Sequence, residues 1–251
     1  MSVNSIRQGK GVESASKIRF LTANVRGWGD VIKARKQMIH YGTFDPSIIC
    51  VSETKFDKRK EKQFRNSYSS EYRCFFNSYA SNARGVAVLI SKKQSVKILG
   101  RAEDDQGRYL VIFFEINGKT LAVASVYAPN DDCPDFFEDL FEVVYNFNPE
   151  HAFITGDFNT GPSELLDYCN YNTIINRNAR SKLSELFESY EMSDTYRVKH
   201  GDRVEYTWIA DGIRPQKSRI DLTLISNNLI PFLKESKIVG AFLSDHNFFD
   251  K

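Results

Sequence analysis

Residues with chemically useful side chains stand at the ends of several apolar runs in this sequence. Asn24 ends IRFLTAN, Glu53 ends SIICVSE and Tyr127 ends TLAVASVY. Apolar runs of this kind predict strands, and a rigid sheet can present such residues at its edge. Together these side chains suit the hydrolysis of a phosphodiester assisted by a hard cation. The remaining members of the set are Asp157, Asn159, Asp221, Asp245 and His246.

Magnesium is the cofactor that this set of side chains indicates. Mg²⁺ takes oxygen ligands and keeps several of its waters, so Glu53 with help from Asn24 is sufficient to hold it against a phosphate. Bound there, it neutralises charge that develops on the phosphorus oxygens and on the leaving alkoxide. Mn²⁺ is expected to substitute for it.

The other polar residues suit proton transfer and phosphate binding. When protonated, His246 can donate a hydrogen bond to a non-bridging oxygen, and Asp221 is the candidate partner that fixes its ring and raises its pKa. Asp157 can orient or deprotonate the attacking water. Asn159 can hold the phosphate, and Tyr127 offers a phenolic donor.

Each of these residues also has a structural explanation when it is taken alone. Glu53 can be a surface charge at a strand end, Tyr127 a packing residue, and the GDFN segment a turn closed by Asx hydrogen bonds. Their joint occurrence at the same kind of boundary favours the catalytic interpretation. The structural interpretation is kept for His40, His151, His200, Trp28 and Trp208.

The elements that must position these residues alternate between strands and helices. Amphipathic stretches at 31–41, 134–145 and 179–190 predict helices, the first of them capped by Asp30. About ten strands with intervening helices indicate a layered α/β protein with sheets face to face and helices outside. The predicted strands are IRFLTAN, SIICVSE, YRCFFN, GVAVLIS, RYLVIFFEI, TLAVASVYA, HAFITGDF, VEYTWI, RIDLTLIS and KIVGAFL.

Composition and charge narrow the class of protein. With 41% hydrophobic and 26% charged residues, the 251-residue chain has the balance of a folded domain, expected at 18–251 after a flexible leader at 1–17. Net charge is only +2, yet residues 1–100 hold 19 Lys and Arg against 7 acids, and residues 121–170 hold 10 acids and no Lys or Arg. This asymmetry suggests a basic face for a polyanion and an acidic cluster for a cation, with chance segregation on solvated faces as the alternative.

Cysteine spacing and hydropathy exclude other classes. Four cysteines lie far apart without a CxxC pair, so they are interpreted as reduced packing residues rather than a zinc site or a disulfide scaffold. The longest apolar stretch, 86–90, is far too short to cross a bilayer, and no membrane partner is expected. The basic run KFDKRKEK at 55–62 is interpreted as the solvated start of a helix rather than a localisation signal.

Seven short blocks occur in an order that resembles the endonuclease/exonuclease/phosphatase superfamily. They are TANVRG, SETK, VYAP, GDFN, YTW, SRID and SDH, and the resemblance runs from 18 to 249. The segment SKLSELFESYEMSDTYRVKHGDRVEYTW and the spacing from YTW to SRID resemble the apurinic-endonuclease-like endonuclease domain of LINE-type (non-LTR) retrotransposons. Repair enzymes similar to exonuclease III instead carry the motif N-x-G-F-T-x-x-E-R followed by W-R-x-D-Y. Neither motif occurs in this sequence.

The resemblance implies a fold, an activity and partners. The fold would be the four-layer α/β sandwich of exonuclease III and deoxyribonuclease I. The activity would be a magnesium-dependent nick in one strand of double-stranded DNA, leaving a 5′-phosphate and a 3′-hydroxyl. In that family the hydroxyl primes reverse transcription of the element RNA by a polymerase domain of the same polyprotein, so element RNA and reverse transcriptase are implied partners. A nuclear location follows from the substrate, with a cytoplasmic ribonucleoprotein as the other location.

Residue roles follow from the same resemblance. The family usually completes a final strand after the SDH block, and only five residues follow it here, so that strand is expected to be short. The resemblance assigns Glu53, Asn24 and Asp245 to the metal, Asp157, Asn159 and Tyr127 to water and phosphate, Asp221 and His246 to a catalytic dyad, and Thr207 to support of the dyad or phosphate.

A surface hairpin is predicted to contact DNA. The segment IADGIRPQK at 209–217 contains Asp211-Gly212, a hairpin-turn dipeptide, and resembles the protruding hairpin with which retrotransposon endonucleases probe the minor groove. A solvated hairpin without DNA contact is the alternative. The predicted DNA-binding residues are Arg214 and Lys217 on this loop, Arg84 and Lys55 near the site, and Thr207.

Other functions remain open at the level of sequence. One is an apurinic-site repair nuclease or a phosphatase of a small phosphorylated molecule. Another, from a different class, is a binding module whose catalytic residues are relics. The intact set from Asn24 to His246 argues against the relic.

Overall fold

Two six-stranded mixed sheets pack face to face in the computed structural model, which describes residues 17–173, 176–240 and 242–250. Helices cover the outer face of each sheet, so the predicted four-layer α/β sandwich is confirmed. Sixteen residues of the predicted leader, 1–16, lie outside the described ranges. The strands are β1 (Phe20–Asn24), β2 (Ile48–Ser52), β3 (Tyr72–Asn77), β4 (Val86–Ser91), β5 (Lys97–Glu103), β6 (Tyr109–Ile116), β7 (Lys119–Tyr127), β8 (His151–Asp157), β9 (Tyr168–Cys169), β10 (Met192–Asp194), β11 (Trp208–Ile209), β12 (Lys217–Ser218), β13 (Asp221–Ser226), β14 (Lys237–Val239) and β15 (Phe248–Asp250).

Strand order separates the chain into two sheets and a small extension. The first sheet has the order β14-β15-β1-β2-β4-β3, and the second has the order β10-β13-β8-β7-β6-β5. A three-stranded sheet, β11-β12-β9, lies beside them. The helices are α1 (Val31–Gly42), α2 (Lys58–Tyr68), α3 (Pro134–Tyr145), α4 (Glu164–Asp167), α5 (Arg177–Ser189) and α6 (Thr195–His200), with a 3₁₀ helix at Asn227–Phe232.

Local sequence signals explain where the main helices begin. The Asp30 carboxylate accepts hydrogen bonds from the backbone amides of Ile32 and Lys33, which caps α1. Asp57 caps α2 in the same way, so the basic run at 55–62 is the start of a helix, as predicted. Helix α3 begins with Pro134 in its first turn. All three predicted long helices are confirmed within two residues at each end.

Apolar side chains fill three interfaces between the four layers. Strand β2 is buried on both faces: Ile48 and Cys50 face the second sheet, while Ile49 and Val51 face α1 and α2. A third cluster lies between the second sheet and helices α3 and α5. Within the described ranges the four cysteines form no disulfide, which agrees with the prediction that they are reduced. No helix within the described ranges is long and apolar enough to cross a membrane.

Some strand predictions were wrong in extent. The run VEYTWI contributes only β11, because the buried Thr207 hydroxyl binds backbone groups of another segment instead of lying in a sheet. KIVGAFL contributes only β14. The sequence did not predict β5, a half-exposed edge strand whose pairing with β6 determines its structure. Strand β15 pairs with both β1 and β14.

Candidate active site

Strand direction brings the predicted site residues to one edge of the sandwich. Strands β1 and β2 run parallel, as do β7 and β8, so the residues at their carboxyl ends lie together. Strand β13 runs antiparallel to β8 and begins at this edge, and β15 runs antiparallel to β1 and does the same. The residues delivered in this way are Asn24, Glu53, Tyr127, Asp157, Asn159, Asp221, Asp245 and His246.

Asn24 connects the two sheets within the site. Its side-chain Nδ2 donates to Glu53 Oε1 at 3.2 Å in the first sheet and to Asp157 Oδ2 at 2.9 Å in the second. Its Oδ1 accepts from the backbone amide of Arg26 at 3.0 Å. Asn24 is 1% exposed, so its amide is held rigidly between two carboxylates.

Glu53 lies just beyond β2 in a left-handed backbone conformation, with φ at 56°. Its Oε2 forms an ion pair with Lys55 Nζ at 2.6 Å. Burial opposes ionisation, but the hydrogen bonds from Lys55 and Asn24 and the charge of Lys55 outweigh it and hold the pKa of Glu53 below its usual value. Glu53 is therefore an anion, ready to bind a cation.

Tyr127 closes the same side of the site. Burial and the charges of Glu53 and Asp157 raise the pKa of the Tyr127 phenol, and its hydroxyl hydrogen-bonds to Glu53. The phenol therefore stays neutral and keeps a proton to donate. Arg108 packs over the Tyr127 ring, with 5.9 Å from its guanidinium carbon to the ring centre.

Asp157 is, with Asp221, one of two fully buried carboxylates of the site. Burial and the nearby Asp221 charge raise the pKa of Asp157 from 3.8 to about 7, although His246 and the Asn159 amide oppose the shift. Asp157 and Asp221 are directly paired residues of β8 and β13. A carboxyl whose pKa lies near neutrality suits a general base. Gly156, at φ 143°, permits this arrangement because a Cβ there would lie 2.1 Å from the Val126 carbonyl oxygen.

Asp221 and His246 form the predicted dyad. His246 Nδ1 lies 2.8 Å from Asp221 Oδ2, and its Nε2 lies 4.0 Å from Asp157 Oδ2. Burial by itself lowers the pKa of His246, but the charge and hydrogen bond of Asp221 and the charge of Asp157 raise it well above the usual value. The imidazole is therefore a cation with one nitrogen fixed by a carboxylate and the other directed into the site.

Thr207 supports the dyad from behind. Its hydroxyl accepts from the backbone amides of Ile220 and Asp221, both at 3.1 Å. Its carbonyl accepts from the Asn247 amide at 2.7 Å, which holds the segment that carries His246. Thr207 is 0% exposed, so the alternative prediction that it contacts DNA is wrong and the supporting role fits.

A divalent cation fits the donor groups of this site. Asp157, Asp221 and His246 place one possible ligand atom each within 4.8 Å of one another, and Asp221 Oδ1 is buried without a hydrogen-bond partner. As an imidazolium, His246 cannot be a ligand, and Glu53, outside this group of three, is the further carboxylate that Asn24 links to Asp157. The carboxylate and amide oxygens are the hard donors that Mg²⁺ and Mn²⁺ prefer. Asp245, predicted as a metal residue, lies outside this group of three. Its Oδ2 pairs with Arg26 at 2.9 Å and its buried Oδ1 has no hydrogen-bond partner, so its metal role stays a prediction.

Asn159 occupies a strained position behind Asp157. It has a φ of 49°, its backbone amide donates to Asp157 Oδ1 at 2.9 Å, and its Nδ2 donates to the Ala128 carbonyl at 2.7 Å. Its side-chain amide is half exposed, so the remaining donor and acceptor can face a phosphate. Asn176, which the sequence interpretation missed, fixes the Asn159 carbonyl at 3.2 Å.

The predicted hairpin forms and lies next to the site. Strand β11 pairs with β12, and the Ala210 amide donates to the Gln216 carbonyl at 2.9 Å. Arg214 is exposed and donates to Asn170 at 3.3 Å, while Lys217 lies within β12. Arg84 lies over the Tyr79 ring and donates to Gln106 at 2.6 Å, with Lys55 beside it in the structure. Their contact with DNA stays a prediction.

Two basic residues near the site were not singled out from the sequence. Arg219, in the SRID block, is 0% exposed and pairs with Asp167 and Asp194 at 2.7 Å each, which anchors the start of β13. Its place in the block could have indicated this role. Arg108 precedes β6, and only the pairing of β6 with β7 brings it beside Tyr127.

The geometry defines a phosphoester hydrolase, and comparison with known proteins agrees. The profile of the Endonuclease/Exonuclease/phosphatase family matches residues 21–246, and this chain belongs to that family. It is also 31% identical over 181 residues to the Transposon TX1 uncharacterized 149 kDa protein of Xenopus laevis. That match covers 70% of this chain and 14% of the relative's length. The predictions of superfamily and of a phosphodiester hydrolase are thus confirmed.

Solved structures with the same fold include nucleases and a phosphatase. The AP endonuclease LMAP of Leishmania major superposes with a TM-score of 0.77 at 17% identity, covering 93% of this chain and 86% of its own. The Xenopus laevis APE2 catalytic domain gives 0.74 at 20%, covering 93% and 90%. A 3′ phosphatase from Neisseria bound to a product DNA hairpin gives 0.71 at 22%, covering 93% and 98%. These likenesses establish the fold.

Proposed function

We propose that this chain is a magnesium-dependent endonuclease of a LINE-type retrotransposon that nicks one strand of target DNA and leaves a 5′-phosphate and a 3′-hydroxyl. The observation that carries the proposal is the Asn24 amide, which joins Glu53 and Asp157 across two sheets beside the Asp221–His246 dyad. This arrangement supplies a negatively charged site for a cation, a general base and an imidazolium, all within reach of a single phosphate. The transposon relative supports the retrotransposon context.

The side chains divide the reaction among them. Asp157, with its raised pKa, accepts the proton of the attacking water and is oriented by the amides of Asn24 and Asn159. The His246 imidazolium, held by Asp221, donates a hydrogen bond to a non-bridging phosphate oxygen. Tyr127 and Asn159 donate to the phosphate from its two sides.

Glu53 and Asn24, with Asp157 nearby, are the residues that would hold the cation. When bound, Mg²⁺ stabilises negative charge on the phosphate oxygens and on the leaving 3′-oxygen. Mn²⁺ is expected to replace it. Lys55, whose ammonium pairs with Glu53, holds the carboxylate in place in the absence of the ion.

The parent polyprotein supplies the wider partners in this proposal. The 3′-hydroxyl primes reverse transcription of the element RNA by a reverse transcriptase domain. The site of action is the nucleus, with a cytoplasmic ribonucleoprotein before entry. Double-stranded DNA is the direct substrate, and residues 1–100, with 19 Lys and Arg against 7 acids, favour binding to its phosphates.

Three substrates offered in parallel test the proposal. Supercoiled plasmid with Mg²⁺ should become nicked circles whose ends carry 3′-hydroxyls that a polymerase can extend. A duplex with one abasic site and a soluble inositol phosphate should be turned over more slowly. Preferential cleavage of the abasic duplex would instead assign a repair endonuclease, and preferential hydrolysis of the inositol phosphate would assign a small-molecule phosphatase.

Matched histidine variants provide the control. His246→Ala should abolish nicking, whereas His151→Ala should retain it, because His151 lies at the opposite end of β8 and bonds to Asn228. DNA binding without any nicking by the wild-type protein in Mg²⁺ or Mn²⁺ would favour the binding module.

A further inference from the structure

Arg26 lies in the middle of the site edge without a role in the chemistry described so far. It follows Asn24 by two residues, has a φ of 46°, and its amide donates to Asn24 Oδ1 at 3.0 Å. Positive φ is uncommon outside glycine, and here Gly27 continues the same turn at φ 89°. This turn directs the Arg26 side chain, which is 60% exposed, to the loop that carries His246.

Asp245 holds the guanidinium in place. Arg26 NH1 pairs with Asp245 Oδ2 at 2.9 Å, and Asp245 is the residue next to His246. The preceding Ser244 hydroxyl donates to the Asn24 carbonyl at 2.8 Å, which ties the same two loops together. The pair therefore spans the two segments that deliver Asn24 and His246 to the site.

A groove opens on the outer side of this pair. It has a volume of about 660 Å³ and lies between the start of α1 and the hairpin at 209–217. Lys33 and Lys36 of α1 line one wall, and the Lys33 ammonium donates to the Arg26 carbonyl at 3.0 Å. Burial and the charges of Lys55 and Arg26 lower the pKa of Lys33, as expected where cations converge.

Exposed aliphatic side chains and three carboxylates line the rest of the groove. Two of the carboxylates are engaged, Asp30 as the cap of α1 and Asp245 with Arg26, and Asp211 lies on the hairpin. Ile32, Ile209 and Leu243 are 68%, 43% and 47% exposed, which is unusual for residues grouped beside cations. Cations with neighbouring apolar surface match a nucleic-acid strand, since phosphates bind the cations and sugars and base edges contact the aliphatic groups. The groove lies next to the dyad, because Asp245, which lines it, precedes His246 and because Trp208, next to Ile209, forms a backbone bridge with His246.

We propose that this groove binds the DNA strand next to the scissile phosphate, with Arg26 as a phosphate ligand and Asp245 as the residue that positions Arg26. This inference rests on the proposed DNA substrate. It gives the Asp245 Oδ2 atom the role of positioning Arg26, while the buried Oδ1 atom, which accepts no hydrogen bond, is the atom that a metal role would use. Lys33 and Lys36 then hold the next phosphates along the strand.

Binding measured in EDTA separates the groove from the chemistry. The probe is a duplex that carries the plasmid site cleaved most by the wild-type protein. Arg26→Ala should weaken binding roughly 10-fold and reduce the slope of log affinity against log salt by about one, as for the loss of one phosphate contact. The control is Lys119→Ala, because Lys119 is also 60% exposed and paired with an acid but lies at the far end of β7. Equal binding and slope in the two variants would overturn the proposal.

The phosphate partner of Arg26 can be located by neutralising single phosphates. Methylphosphonates placed one at a time should weaken wild-type binding at several positions, and Arg26→Ala should be insensitive at one position within a few nucleotides of the cleaved bond. Insensitivity at a distant position, or at none, would contradict the assignment. If the wild-type protein neither cleaves nor binds the plasmid, the proposed function fails first, and this outcome is distinct from a normal wild type with a silent Arg26→Ala.

The role of Asp245 has its own test. Asp245→Asn should reduce the cleavage rate severalfold in the wild-type protein. It should not reduce the rate further in the Arg26→Ala variant, because both substitutions remove the same Arg26–Asp245 interaction. Mg²⁺ should still raise the melting temperature of Asp245→Asn and should fail to raise that of Glu53→Gln. Additive losses of cleavage, or a lost Mg²⁺ effect on melting in Asp245→Asn, would make Asp245 a metal residue instead.

Discussion

At the scale of single residues, Asp157 combines a functional position with a cost in stability. It is 1% exposed, lies opposite Asp221, and accepts from the Asn24 side chain and the Asn159 amide. A carboxylate so placed ionises with difficulty, which is why its pKa rises to about 7. The same property that makes it a base at neutral pH opposes the folded state.

Asp157→Asn should therefore inactivate the protein and stabilise it. The folded wild type keeps a proton that the unfolded chain releases between about pH 4 and 7, so it loses stability relative to the unfolded state as pH rises through that window. The melting temperature of the variant in EDTA should exceed that of the wild type by at least about 2 °C above pH 7, and by less at pH 4.5. A variant less stable than wild type at pH 8 would contradict the burial argument. Nicking should fall about 100-fold or more.

Asp221→Asn should change the pH dependence as well as the rate. Asp221 raises the pKa of His246, so without its charge the imidazole loses its proton at lower pH. The alkaline limb of the pH–rate profile should therefore move to lower pH, and the rate at neutral pH should fall about 100-fold or more. Asp194→Asn, which removes another carboxylate from a buried ion pair, serves as the control and should leave the limb in place.

The residues of the site could be predicted because each ends an apolar run, and that position depends on local sequence alone. Arg26 and Arg108 could not be found in this way. Arg26 depends on a salt bridge to Asp245, 219 residues later in the chain, and Arg108 on the pairing of two strands. Asp245 was assigned to the metal from the resemblance of its SDH block to the family, and that block gives no sign of the ion pair with Arg26.

At the scale of elements, strand β8 depends on a glycine immediately before its catalytic carboxylate. A Cβ at Gly156 would lie 2.1 Å from the Val126 carbonyl oxygen, and the φ of 143° is unfavourable for other residues. Gly156→Ala should lower the free energy of unfolding by more than about 2 kcal/mol in urea titrations. Gly118→Ala meets no atom within 4 Å and is the control for a glycine at positive φ.

The hairpin at 209–217 is expected to control site choice rather than turnover. Its tip is exposed and Ile213 makes little contact with the rest of the protein, so shortening the loop leaves the dyad support at Thr207 and Ser218 intact. Mapping of nicks on plasmid DNA should show altered positions with a rate on the best site within about threefold of wild type. An unchanged set of nick positions would contradict a role of the hairpin in DNA recognition.

Helices and strands were predicted correctly where the apolar periodicity of the sequence was strong. The prediction failed where tertiary contacts determine the secondary structure. Helix α3 has Pro134 at its start and a continuous apolar stripe, and both of its ends were predicted correctly. The VEYTWI run has the composition of a strand, but buried hydrogen bonds of Thr207 override that preference. Strand β5 contains Gly100 at an irregularity and exposed charges, so it carries little signal of its own.

At the scale of the whole molecule, two sheets share the site. Asn24 lies in the first sheet, Glu53 follows its strand β2 and His246 precedes its strand β15, whereas Tyr127 and Asp221 lie in the second sheet. A buried hydroxyl pair, Thr22 Oγ1 to Thr155 Oγ1 at 2.7 Å, links the sheets below the site. The layered architecture was predictable because strands and helices alternate, whereas the relative placement of the sheets depends on contacts far apart in sequence.

Cation binding should report on the assembled fold. An ion that binds only the folded state stabilises it by about 2.7 kcal/mol at 100 times its dissociation constant. Saturating Mg²⁺ should thus raise the melting temperature by several degrees, and Glu53→Gln should remove most of the effect. Glu150→Gln, a change to an exposed acid at the other end of the sandwich, should keep it. Stabilisation by Ca²⁺ without nicking would show binding separate from chemistry.

Chain order has a consequence for synthesis. The first sheet begins with β1 to β4 but is completed only by β14 and β15, after the second sheet has been made. Its histidine is therefore the last member of the dyad to leave the ribosome. A nascent chain that lacks His246 and β15 is therefore expected to lack hydrolase activity until β15 pairs with β1.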